Sequence, residues 1–145
     1  MMENYLNLLL DQVDKHRQIH ALAKEERDAI ARGDIGTVME RDAVRRGIIS
    51  QLKSLQSEMD PFLDKLSTKR KPLSPQLKDQ ILTVSKELNE IIRETVAIDQ
   101  ENEIQLMELK EGIADKIHEV RRGKKALSGY KSRSQNAPKL FDGEV

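Results

Sequence analysis

Apolar residues recur at alternating steps of three and four from Leu77 to Val120. The series is Leu77, Ile81, Val84, Leu88, Ile91, Thr95, Ile98, Asn102, Leu106, Leu109, Ile113, Ile117 and Val120, with two polar residues set among the apolar ones. A chain that turns every 3.6 residues brings such steps back to one face, so the pattern predicts a single helix. No proline falls inside it, and its one glycine is Gly112. Ser74 ahead of Pro75 reads as a cap followed by a first helical residue, and Ser128-Gly129 reads as a stop. A helix over residues 75–128 is roughly 80 Å long at 1.5 Å per residue.

Two shorter helices precede it. The first, over residues 3–32, has Leu6, Leu9, Leu10, Val13, Ile19, Leu22, Ala23 and Ile30 as its apolar positions, with charged residues between them. Gly33-Asp34-Ile35-Gly36 then supplies a turn: Gly33 can take the left-handed conformation that ends a helix, and Asp34 can cap the next. The second helix, over residues 37–66, carries Ile48, Leu52, Leu55, Met59, Phe62 and Leu66. Asp60-Pro61 predicts a kink within it or a fresh start. Ser67 to Ser74, with Lys69-Arg70-Lys71 and Pro72, has no apolar period and reads as a loop. No segment reads as a strand. The predicted fold is therefore all-α: an elongated antiparallel helical bundle or hairpin with one very long C-terminal helix. One domain covers residues 1–128, and a basic, flexible tail covers residues 129–145.

The lengths differ in a way that matters. Two helices of about 30 residues cannot cover one of about 54, which leaves roughly 20 residues without a partner in an antiparallel bundle. The bundle should end near residue 105, and Leu106, Met107, Leu109, Ile113, Ile117, Val120 and Leu127 lie past that point. Burial gains about 25 cal/mol per Å² of apolar surface, so something should cover this stripe. A second copy of the chain, the chain's own tail and a different protein are the three possible covers. Thr95 and Asn102 are residue types that fix register or oligomeric state when they sit in a seam; otherwise they lie at its edge and touch water.

Composition narrows the class. Aromatic residues make up 3% and charged residues 34% of the chain, too little material for a thick core and well suited to helices. With no cysteine, neither a disulfide nor a thiolate metal site can form. The N-terminal segment, with Glu3 and Asp11 around Leu8-Leu9-Leu10, does not read as a signal peptide, and no stretch is apolar enough for membrane insertion. A cytoplasmic location is expected. The formal net charge of zero conceals an asymmetry: from Arg121 onward seven Lys or Arg face two acids, giving +5, which leaves 18 bases and 23 acids, or −5, before it. Acids early in the long helix and Arg121, Arg122, Lys124 and Lys125 at its end agree with the helix dipole.

Candidate chemistry is sparse. His16 and His20 are spaced as two ligands on one helical face, but Arg17 stands where a zinc protease would carry glutamate, and no third ligand follows. These two and His118 read as partly exposed polar residues, and no cofactor is expected. The carboxylates lie along solvated helix faces without the turns that set an acid and a base about a cleft, so an enzyme is not expected. The basic cluster Arg121 to Arg133 could meet phosphates, yet the acidic stretch Glu87 to Asp115 precedes it and no stacking platform accompanies it. No nucleic-acid partner is expected.

Several segments resemble the small helical export chaperones of bacterial flagella, the FliT and FlgN types. Ala31-Arg32-Gly33-Asp34, followed by Val38, Arg41, Asp42, Arg46 and Ile49, is similar to the family's helical-hairpin signature. Ile98-Asp99-Gln100-Glu101-Asn102-Glu103 is similar to the acidic middle of its long helix. Val120-Arg121-Arg122-Gly123-Lys124-Lys125-Ala126-Leu127-Ser128-Gly129-Tyr130 is similar to the basic, glycine-containing end of FliT-type chains, and it tilts the resemblance slightly to that type. The resemblance implies a cytosolic chaperone that holds a filament-cap or hook-associated protein and delivers it to the flagellar type III export apparatus.

On this reading an amphipathic client segment lies against the stripe, in the helix-in-groove mode. Leu106, Leu109, Ile113, Ile117, Val120, Leu127 and Tyr130 are the candidate partner-binding residues. The tail, anchored by Tyr130 or Phe141, is a competitor for the same groove. The rival expectation is a homodimeric coiled-coil adaptor or scaffold in which a second copy covers the stripe.

Overall fold

The computed structural model describes residues 2–69 and 73–133, with side chains over residues 3–65 and 73–125. The chain is all-α, with α1 (Met2–Ala31), α2 (Ile35–Lys69) and a long α3 (Pro75–Arg133). No described helix is long and apolar enough to cross a membrane. The chain divides into two compact units, one ending at Glu103 and the other beginning at Ile104, so the boundary falls within α3.

The first unit is an antiparallel three-helix bundle. Tyr5, Leu9 and Met59 are buried together, and Leu8, Phe62, Ile81, Val84 and Leu88 pack around them. The rings of Tyr5 and Phe62 meet at 6.4 Å with a 54° tilt, the inclined arrangement that aromatic pairs favour. Farther along, Gln12 donates to Gln56 at 3.1 Å, Arg41 pairs with Glu25 at 2.7 Å, and Asn102 reaches the backbone of Ala23. These contacts fix the directions: α1 and the first part of α3 run the same way, and α2 runs against both.

The turn between α1 and α2 shows how a short sequence ends one helix and starts another. Gly33, at φ 69°, takes the left-handed conformation that only glycine adopts cheaply. Its N–H bonds to the Ile30 carbonyl at 2.9 Å and that of Asp34 to the Ala29 carbonyl at 2.8 Å, the paired bonds of a Schellman ending. Asp34 then caps α2 by accepting from the Thr37 N–H at 3.1 Å and from its hydroxyl at 2.7 Å. Those bonds, with Arg32 nearby, hold the Asp34 carboxyl below its usual pKa. Ser74 does the same work for α3, accepting from the Leu77 N–H at 3.2 Å ahead of Pro75.

Three features differ from the sequence expectation. Helix α2 runs through Asp60-Pro61 without a fresh start and continues to Lys69, into the stretch read as a loop. Helix α3 passes Ser128-Gly129 and ends at Arg133, because a glycine inside a helix costs only about 1 kcal/mol and compels no stop. Within α1, Leu10 is 45% exposed while Tyr5 takes the core position. Tyr5, Leu9 and Val13 lie along the buried side, and Leu10 points away from it. Arg70, Lys71, Pro72 and the tail from Ser134 onward, including Phe141, lie outside the described residues.

Candidate functional site

The stripe on α3 changes character along its length. In the first unit Leu77, Ile81, Val84, Leu88, Ile91 and Ile98 are half-buried, and Thr95 and Asn102 are buried. Both polar residues therefore sit in the seam rather than at a wet edge. Thr95 Oγ1 donates to the Ile91 carbonyl of its own helix at 2.8 Å. Asn102 Nδ2 donates to the Ala23 carbonyl at 3.0 Å and pins α3 to α1.

In the second unit Leu106 and Leu109 are half-buried, whereas Ile113, Ile117 and Val120 are exposed at 45%, 47% and 56%. These three stand one helical turn apart on one face, and the depression beside them is lined by Ile113, Lys116, Ile117, Val120, Arg121 and Lys124. All seven sequence-predicted binding residues thus fall on α3, five of them with described side chains. The side chains of Leu127 and Tyr130 lie outside the described residues. The surface is a row of branched aliphatic side chains edged by the cations Lys116, Arg121 and Lys124.

A second feature, in the first unit, was not singled out from the sequence. Arg45 on α2 makes a two-pronged bond to Asp99 on α3, at 2.7 and 2.8 Å, and approaches Glu26 on α1 at 3.5 Å. The bond to Asp99 is the largest cause of a raised Arg45 pKa. Burial pushes the Glu26 carboxyl up, and Asp42 and Asp99 add to this, against the pull of Arg45. Burial prevails because the Arg45 guanidinium directs its fork at Asp99 and meets Glu26 only from one side. Glu26 Oε1 and Asn102 Oδ1 are buried without a hydrogen-bond partner among the described residues. The cluster ties all three helices together among the buried residues Ala23, Ile30, Val38 and Ile48, where such a charged network helps fix register.

A signal for this cluster was present. Ala23, Glu26 and Ile30 follow three-and-four spacing, as do Val38, Arg41, Arg45 and Ile48, so charges occupy seam positions. Of the residues that carry the hairpin resemblance, Val38 is buried, Arg41 pairs with Glu25, and Arg46 pairs with Asp42 at 2.7 Å on the surface. His20 approaches Glu94 at 3.4 Å, and burial lowers the pKa of His16. Among the described residues no three His, Asp or Glu side chains converge as metal ligands would. Compared with known proteins, the chain matches no family model, no curated protein and no solved structure.

Proposed function

We propose that this chain is a flagellar export chaperone. It holds a filament-cap or hook-associated protein in the cytoplasm, prevents its premature assembly and hands it to the type III export apparatus. The observation that carries the reading is the exposed row Ile113, Ile117 and Val120 on a helix whose earlier part is packed in a bundle of its own. Such a row suits a client's amphipathic helix, because docking removes apolar surface from water on both partners. The segments that resemble the FliT and FlgN types give the client class, and the basic helix end leans toward the FliT type.

Native mass spectrometry of the full chain mixed separately with the filament-cap and hook-associated proteins of the same organism tests this reading. A complex with one of them is the expected result and names the client. Absence of any complex, with a stable homodimer instead, supports the coiled-coil adaptor.

A further inference from the structure

The cations beside the exposed stripe specify its occupant further. Helix geometry places Lys110, Lys116, Arg121 and Lys124 within about 80° of the line through Ile113, Ile117 and Val120, on both sides of it. Glu108, Glu111, Asp115 and Glu119 all lie at least about 120° from that line. The apolar row is thus bordered by cations alone, and the acids occupy the opposite face. Among the described residues neither Lys116 nor Arg121 makes an ion pair, although acids stand nearby in sequence.

The geometry points to one occupant: an amphipathic helix of a partner protein whose own apolar row is bordered by Asp and Glu. This rests on the proposed docking role of the stripe and adds the chemistry of the partner. A second copy of the chain fits badly. In a parallel pair the two different borders meet, and in an antiparallel pair like borders meet; either way cation faces cation. An anionic membrane fits badly too, since no aromatic residue lies between Ile104 and Lys125 and the far face is acidic.

Two fluorescent helical peptides of about six turns, alike in their Leu and Ile row, serve as probes. One carries Glu on both borders and the other Lys, and each is titrated against the full chain by anisotropy. The Glu-bordered peptide should bind at least about tenfold tighter, by the sum of several exposed charge pairs. The preference should shrink as salt is added. The double variant Lys116→Glu, Arg121→Glu should reverse it. Ile117→Asp should weaken both peptides while circular dichroism stays unchanged, which separates docking from bulk attraction. Equal affinities, no binding, or a preference that the double variant leaves in place would overturn the assignment. So would capture of the chain by phosphatidylserine vesicles or by a second copy at the expense of the peptide. A flagellar client that binds the double variant as tightly as the native chain removes the acidic-border inference and leaves the chaperone reading standing. Peptide discrimination without any flagellar client does the reverse.

Discussion

Glu26 shows what burial does to one residue. The residue is 7% exposed, and Asp99 holds most of the cation beside its carboxyl. Its pKa is raised in the folded chain, so the fold favours the protonated form. The stability this lends is fully present below the carboxyl's unfolded pKa and is lost as pH rises through the folded one. Glu26→Gln imitates the protonated form at every pH. The variant should equal or exceed the native chain in urea unfolding at neutral pH, with its advantage vanishing as pH falls through the carboxylate range. A large loss at neutral pH would show that Glu26 acts as a charged partner of Arg45. Asp34 has the opposite sign: its lowered pKa means a contribution present above the unfolded value and lost as pH falls through the folded one. The sequence marks Asp34 plainly, because capping is local and the next three residues suffice to show it. Glu26, Arg45 and Asp99 stand far apart in the chain, and only charges at seam positions hint that they meet.

Helices were the most legible elements because a sustained period of 3.6 needs no tertiary knowledge. The starts of α2 and α3 follow from Asp34 and from Ser74-Pro75. Ends were harder to place. Gly33 ends α1 because its positive φ is used, whereas Gly123 and Gly129 sit inside α3. Gly33→Ala should therefore cost about 1 kcal/mol through backbone strain alone. A Cβ there meets nothing within 4 Å, so crowding adds nothing. Chemical denaturation checks this, and no change would mean that the turn rearranges. Of the kink or fresh start expected at Asp60-Pro61, the fresh start does not occur. Because α2 continues through Pro61, the Ser57 carbonyl loses the N–H it would otherwise receive.

At the scale of the whole molecule, the two units divide the use of apolar surface. The first buries Tyr5, Leu9, Val13, Ile48 and Met59 in its own core; the second presents Ile113, Ile117 and Val120. Helix lengths alone foretold an end to the bundle near residue 105, close to the boundary at Glu103 and Ile104. The all-cation border of the stripe does not show in the order of residues along the chain, where acids and cations alternate, but only on the faces of the helix. Ile113→Asp and Val120→Asp should leave helicity and the unfolding midpoint nearly unchanged, since neither residue belongs to the core of the first unit. Both should abolish client binding in the same native mass spectrometry experiment. Loss of the fold would instead make these residues part of a core.

The most direct measurement is amide hydrogen exchange on the full chain, alone and with the flagellar cap or hook-associated protein added. Helix without apolar cover exchanges readily, and a docked partner protects it. The account predicts new protection over residues 104–125, with the core amides around Leu9 and Met59 unchanged. Protection confined to α1 and α2, or none on adding either protein, would contradict it.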